Sequence, residues 1–514
     1  MKENLKQFYT YLEKMERLQN ASSIINFDLM TVCPKNGYEY ESETQNMLST
    51  MIYDISKDDK YIELLCELNK EKDKLDIYQN RLIEKNFREY NNFKNVSSEL
   101  YSEQLKSYSD SYSLWIEARE KNDYSIFAPA LKKNVEITKK VLSLRPEFNG
   151  NYYDTLIDNF EESFDKKDYD AFFYELKKHL IPLIKKVYSS PKNIRTDFLF
   201  RKVSISKQEE FSKYLMSLIG FDNDCGMLST SVHPFTSTLA RYDTRITTHY
   251  YEDNFISNMY SIIHEGGHAI FGQNEPQEIY DNHLQNSMTM AMHESVSRFY
   301  ENRLGRSKEF IHFIYPKIME LFSEELGDVS EEELYLGINA VMKQPLRTEA
   351  DELSYCLHII IRYELEKEFV DTDNFDFSSL EKRWNSLYKE YLDIEPKNSV
   401  EGILQDVHWT DTYGYFPTYA IGNAYNAMYL EKMKKEIPVS ELLKKEDISK
   451  EERDEITEKM ILVADKISAK DTENKDFLNG IIKYGVPIVG GALLLGAAIL
   501  GVNVKETKIP TIKK

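Results

Sequence analysis

Apolar residues recur at three- and four-residue steps from the start of the chain, with Leu5, Phe8, Leu12, Met15 and Leu18 set between charges. That period puts them on one face and predicts an amphipathic helix. The steps continue through Ile24 to Met30 until Pro34 and Gly37 punctuate the chain. From Glu41 to about Tyr124 a charged stretch carries Leu, Ile and Tyr at helical spacing, and its charge runs read as solvated helix faces. Ser125 to Val187 supplies more helices, FAPALKKNVEITKKVL among them, and Pro191 with its polar neighbours marks a turn. Strands are expected only between about Cys225 and Tyr251, where Ser, Thr and Tyr are frequent and residues alternate around Arg245 to Tyr250. A hairpin or three-stranded sheet there would form one wall of a groove. Helices resume after Arg303, and no internal repeat is found up to residue 430.

Past residue 430 the pattern changes. Glu431 to Asp476 is densely charged, so 431–483 reads as a helical linker, and Tyr484 to Val504 then carries no charge. As a helix at 1.5 Å per residue that run would be about 31 Å long, close to the thickness of a bilayer core. Small residues stand four apart in it, Ala492 with Gly496 and Ala497 with Gly501, which suits helix pairing in lipid. Five glycines and Pro487 weaken the helix and keep a second reading open, an apolar tail docked on the rest of the protein. Residues 505–514 form a short polar tail.

Composition narrows the class. Lys and Arg total 65 against 86 Asp and Glu, a net charge of -21 that argues against nucleic acid as a partner. Four cysteines (Cys33, Cys66, Cys225, Cys356) are scattered and form no C-x-x-C, so they read as reduced, mostly buried thiols. The N-terminus has no apolar signal-peptide core, which places the expected catalytic part in the cytoplasm, with the 484–504 run as its candidate membrane anchor.

Chemistry gathers between Ser261 and Arg303. The ten histidines of the chain include His233, His249, His264, His268, His283 and His293, all within this stretch or just before it. His264, Glu265 and His268 form H-E-x-x-H, and on a helix positions i and i+4 share a face, so both imidazoles can reach one metal ion. Glu265 is placed beside them to take a proton from a metal-activated water. A catalytic zinc site needs a third protein ligand, and Glu294, on a later helical segment, is the candidate. The bare motif is weak evidence, because a surface helix with two solvated histidines would carry it too.

Six blocks in order sharpen the reading: HPF (His233 to Phe235), DTRIT (Asp243 to Thr247), HEGGH, HES (His293 to Ser295), RTEADE (Arg347 to Glu352) and GILQDVHW (Gly402 to Trp409). Together they resemble the signature blocks of the carboxypeptidase Taq family of metal-dependent carboxypeptidases. The resemblance covers residues 1–430, which it marks as one catalytic domain, and includes GYFPTYAIGNAY (Gly414 to Tyr425). It implies a mainly α, saddle-shaped metallopeptidase with a deep groove and the small β-sheet beside the H-E-x-x-H helix. It implies release of C-terminal residues from peptides with a free C-terminus, one divalent metal per chain (Zn²⁺, with Co²⁺ as the alternative), and a homodimer. His264, His268 and Glu294 match the family's metal ligands, and Glu265 matches its base.

An exopeptidase must also hold a terminal carboxylate, and a guanidinium fork can do so bidentately, which points to Arg347 and Arg245. Arg347 is equally open to an ion pair with Glu349 or Asp351. His408, Tyr415 and Tyr419 resemble the groups that related metallopeptidases aim at the oxyanion, with core packing as the other reading, for Tyr419 above all. His233 would hydrogen-bond substrate main chain or cap a strand, and Gln405 and Asp406 read as supports for their neighbours. Three positions depart from the family pattern: Gly266 replaces a larger apolar residue, Val296 replaces a polar one, and Phe27-Asp28 stands for a W-D pair. None removes a ligand or base. The alternatives to a metallocarboxypeptidase are an endo-oligopeptidase with the same chemistry and a non-catalytic binding or scaffold protein that keeps the fold.

Overall fold

The computed structural model describes residues 1–285 and 287–436. The expected linker, the uncharged run 484–504 and the polar tail therefore lie outside the described residues. Among the described residues, no helix is long and apolar enough to cross a membrane.

The amphipathic start of the chain forms α1 (Lys2–Thr31), which buries Leu5, Phe8, Leu12 and Phe27. It packs on α2 (Tyr38–Ser56) and α3 (Asp59–Lys70), and α4 (Ile77–Phe93) completes this group. Leu5, Phe8 and Leu12 meet Tyr61, Leu64, Leu65, Leu68, Leu82 and Ile83 in a small core of their own. None of the residues of α2 is buried, so the charges read from sequence as solvated faces are just that. Helices α5 (Ser98–Lys121) and α6 (Tyr124–Ser143) pair, followed by α7 (Tyr152–Asp158), α8 (Lys166–Tyr188) and α9 (Ile205–Ile219).

The expected β region is a three-stranded sheet of β1 (Gly226–Thr230), β2 (Thr236–Ala240) and β3 (Asp243–Thr248), in the order β1-β3-β2. β3 runs parallel to β1 and antiparallel to β2, with Ile246 opposite both Leu228 and Thr236. Ile246 is fully buried, which fixes which face of this short sheet turns inward.

Next come α10 (Phe255–Gln273), α11 (Gln277–Asp281), α12 (Met290–Arg298) and a wide π-helical segment, Phe299–Leu304. The chain closes with α13 (Lys308–Leu326), α14 (Glu331–Ile338), α15 (Glu352–Asp371), α16 (Leu380–Leu392) and α17 (Phe416–Glu436). α17 runs past the boundary expected at 430. α15 is buried almost all round and forms the axis of the main core, as a helix without a polar face must. The architecture is thus mainly α with one small sheet, as the sequence predicts.

What matters for function is the sandwich around α10. β2 and β3 pack on one side of it, α12 and the π segment on the other, and α9 alongside. The two consecutive glycines make this possible. A Cβ on Gly267 would lie 2.8 Å from the Ser297 Cα, and one on Gly266 would lie 2.2 Å from the tip of Ile219. The departure at Gly266 is therefore a close approach to α9, and it outweighs the roughly 1 kcal/mol that a glycine costs in a helix interior.

Candidate metal centre and active site

α10 starts at Asn254, whose side chain accepts from the Ser257 amide, and carries His264 and His268 one turn apart. α12 starts at Thr289, and a second cap comes from the buried Glu161, which accepts from the Ala291 amide at 2.7 Å. This end of α12 is thereby fixed, and one turn further on it presents Glu294. The Glu294 Oε2 lies 3.8 Å from His264 Nε2 and 3.5 Å from His268 Nε2. The three ligating atoms all fall within 4.8 Å of one another. Metal–ligand bonds of about 2.0–2.2 Å at tetrahedral angles put neighbouring ligands a little over 3 Å apart, so two imidazoles and one carboxylate fit a single divalent ion here.

The surrounding charges are arranged to suit this. Burial disfavours a charged His264, but Glu294, a hydrogen bond donated to Glu301 and the Glu265 charge outweigh it and raise its pKa to about 9. Burial likewise pushes the Glu294 carboxyl up, yet the two imidazoles and Arg298 hold it below the ordinary range. His293, the first residue of HES, stacks edge-on against Phe271, and burial together with His268 pushes its pKa down to about 4.

Glu265 is buried beside the ligands, and the Thr236 hydroxyl donates to its Oε2 at 2.6 Å. The wall expected from the sheet is thus present, and it grips the acid directly. Both residues line a cavity of about 640 Å³, together with His264, His268, Glu294, Arg298, Glu301, Arg347, Tyr355, Tyr415 and Tyr419.

Of the oxyanion candidates, Tyr415 and Tyr419 line this cavity, while His408 stands behind them with its Nε2 3.4 Å from the Tyr419 hydroxyl. Burial, with Arg347 and Arg362 nearby, outweighs Asp406 and pushes the His408 pKa down to about 4, so the imidazole is neutral. Tyr415 and Tyr419 meet edge to face at 5.1 Å.

The arginines divide. Arg347 is buried, lines the cavity and pairs with Asp406 at 2.9 Å; its NH1 donates to the Tyr355 hydroxyl at 3.3 Å. Its ion pair is neither of the local acids Glu349 and Asp351. Asp351 instead caps α15, accepting from the Leu353 and Ser354 amides. Asp406 also takes an ion pair from the fully buried Arg362, and Gln405 accepts from both the Arg347 amide and Arg362, which bears out the supporting roles read for these two residues. Arg245 is held by Asp243 through both Nε and NH2 at 2.8 Å and lies over the Phe27 ring, outside the cavity lining. His233 is exposed, and in the HPF block Pro234 and Phe235 line the cavity in its place. Phe27 packs edge-on against Phe235.

The cavity also takes polar residues that the sequence did not single out, among them Thr236, Arg298, Glu301 and Tyr355. Arg298 and Glu301 lie four and seven positions after Glu294, a spacing that would have put them on its face. Thr236 and Tyr355 left no local signal.

A family model described as Carboxypeptidase Taq (M32) metallopeptidase matches residues 7–469. Carboxypeptidase 1 of Bacillus subtilis (strain 168) is 37% identical over 434 residues, 84% of this chain and 86% of that protein. Thermostable carboxypeptidase 1 of Thermus thermophilus is 32% identical over 433 residues, covering 82% and 84%. The crystal structure of an M32 carboxypeptidase from Deinococcus radiodurans superposes with a TM-score of 0.80 at 30% identity, covering 85% of this chain and 87% of that one. Coverage of this extent, over a fold whose cavity gathers two histidines and a glutamate that could hold a metal ion, leaves one assignment: the chain belongs to the carboxypeptidase Taq (M32) family of metallopeptidases and is a metallocarboxypeptidase.

Proposed function

We propose that His264, His268 and Glu294 hold one divalent ion per chain, zinc with cobalt as the alternative, and that Glu265 is the general base of peptide hydrolysis. The observation that carries this reading is the convergence of the three ligating atoms beside Glu265 in one cavity. When bound, the ion polarises the scissile carbonyl and makes a neighbouring water more acidic. The rest falls to the chain's own residues. Glu265, oriented by the Thr236 hydroxyl, accepts the proton of the attacking water and passes it to the leaving amine. The Tyr415 and Tyr419 hydroxyls donate toward the developing oxyanion, with His408 steering Tyr419. Donors so placed are worth about 3–4 kcal/mol in the transition state.

Arg347 is the anchor for the substrate's terminal carboxylate. It lines the cavity, and Asp406 and Gln405 hold it rigidly from behind. Arg245 and His233, outside the lining, are left to contacts with longer peptides near the groove edge. The test is Glu265→Gln, which keeps shape but cannot take the proton: it should abolish hydrolysis of unblocked peptides while still binding one metal ion per chain. Near-full turnover would remove Glu265 from the role. C-terminally amidated peptides should be poor substrates of the parent enzyme, and equal cleavage of amidated and free peptides would favour the endo-oligopeptidase reading.

Two further readings rest on sequence and family. Residues 1–430 act as the catalytic domain of a homodimer, which light scattering of the purified protein would check. The uncharged run 484–504, after a charged linker, tethers the enzyme to a membrane. Full-length protein should pellet with membranes and resist carbonate extraction, and a chain ending at Asp476 should be soluble and active.

A further inference from the structure

The π-helical segment Phe299–Leu304 directly follows α12 and carries Glu301, a partly buried carboxylate that the proposed ligand set does not use. Its Oε2 lies 2.8 Å from His264 Nδ1, the imidazole nitrogen opposite the one that faces Glu294. The same oxygen accepts from Arg298 NH1 at 3.2 Å, and the other oxygen lies 3.8 Å from Arg306 NH2. Neither arginine is loose. Arg298 lies over the Tyr355 ring at 3.9 Å and donates from Nε to Asn423 on α17; Arg306 lies over the Tyr260 ring at 4.0 Å and donates to the Ile338 carbonyl. The two arginines thus hold the carboxylate against the imidazole. An extra residue in the helical turn re-aims the side chains after it, a recurrent use of π segments at functional sites.

We infer that Glu301 is a positioning residue that fixes the tautomer and ring plane of His264, so that Nε2 is presented to the metal ion with its lone pair free. In the neutral ring, donating Nδ1–H to Glu301 leaves Nε2 without a proton, and the ring cannot flip without breaking a charge-assisted hydrogen bond. Carboxylates in this outer position also raise the basicity of the ligand. Arg298 extends the arrangement: through the Tyr355 ring, whose hydroxyl accepts from Arg347, it ties the metal centre to the proposed carboxylate anchor.

The inference rests on His264 being a ligand, so the experiment carries that control. Metal-free protein is titrated with Zn²⁺ against a chromophoric chelator, and with Co²⁺ while its visible absorption is recorded. Folding of each variant is checked by circular dichroism. His264→Ala should lose tight binding; if it does not, the ligand reading itself fails. Given that loss, Glu301→Ala should bind about 10- to 100-fold more weakly than the parent. Glu301→Gln should recover part of the difference, because its amide oxygen still accepts from Nδ1. Both should shift the Co²⁺ absorption bands, a signature that a purely structural role would leave alone. A folded Glu301→Ala protein with metal affinity within about twofold of the parent, and an unshifted Co²⁺ spectrum, would overturn the inference. If Glu301→Ala does not fold, the same two measurements on Glu301→Gln decide it.

Discussion

The Thr236 hydroxyl lies 2.6 Å from the Glu265 carboxylate and 3.0 Å from the Glu265 carbonyl, tying the first residue of β2 to the helix that carries the two histidines of the proposed metal site. The short sheet is thus a support for the proposed base. A carboxylate that must take a proton from one side gains from a donor that fixes its other side, since a misplacement of an ångström is costly to a pre-organised site.

Thr236→Val keeps the shape and removes the donor. It should lower kcat about tenfold, with KM nearly unchanged, and Thr236→Ser should restore most of the loss. The measurement is steady-state hydrolysis of an unblocked peptide; full activity in the Val variant would make the contact incidental.

Arg347 has a second role beside the one proposed for it in substrate binding. It and Asp406 are both buried and paired at 2.9 Å, with Arg362 on the far side of the same carboxylate. Burial pushes the Asp406 carboxyl up, but the two guanidinium groups hold it far below the carboxylate range. Removing one partner leaves a charge poorly compensated, at a cost of about 3–5 kcal/mol. Arg347→Ala should therefore lose kcat/KM for free-acid peptides and stability together, whereas Arg347→Lys should keep much of the stability and little of the activity, because an ammonium cannot hold a carboxylate bidentately. Urea unfolding run beside the kinetics separates the two. A Lys variant with parental kcat/KM would exclude the fork as anchor.

These contacts show what the sequence could and could not say. H-E-x-x-H and Glu294 were legible because helical period alone puts His264 and His268 on one face, and a ligand count then calls for an acid. The sheet was legible from alternation around Arg245 to Tyr250. The partner of Arg347 was not: the acids nearest in sequence are turned away, Asp351 into a helix cap, and the ion pair is made to Asp406 across the fold. Arg245 went the other way, to Asp243 two residues off, because alternate residues on a strand share a face. Glu301, seven positions after Glu294, was within reach of helical spacing, but the π turn that carries it is announced by no apolar pattern.

The glycine pair in α10 makes a sharper test of packing. A methyl at Gly267 meets the Ser297 backbone at 2.8 Å and Tyr300 at 3.2 Å, so α10 and α12 would have to separate. Because His264 and His268 sit on one helix and Glu294 on the other, Gly267→Ala should weaken metal affinity and stability together. At Gly266 the obstacle is the flexible tip of Ile219, so Gly266→Ala should be rescued by Ile219→Val, and Gly267→Ala should not be. Melting temperatures of the parent and of each glycine variant with and without Ile219→Val, measured with and without Zn²⁺, decide this; equal tolerance at both positions would contradict the backbone approach.

The last prediction concerns pH. Glu366 is fully buried on α15 and accepts from Trp409 Nε1, the Tyr153 hydroxyl and the Gly414 amide. Burial outweighs those three donors and the nearby Arg362 and raises its pKa from 4.5 to about 7. The sign follows from which state holds the proton. Between these two values the unfolded chain has released the proton and the folded protein keeps it, so the folded state binds more protons and loses stability as pH rises. Each unit in that window is worth about 1.4 kcal/mol, and the loss stops above pH ~7, where both states are ionised. Total stability will not show this cleanly, because His293 and His408, with pKa values pushed down to about 4, act in the opposite direction as they shed protons. The difference between the parent and Glu366→Gln does show it, since those histidines are common to both. Urea unfolding of the two proteins from pH 5 to 8 should find the parent losing ground to the variant up to pH ~7 and holding level above it. A difference that stays flat across this range would mean that Glu366 is ionised throughout, held so by its three donors.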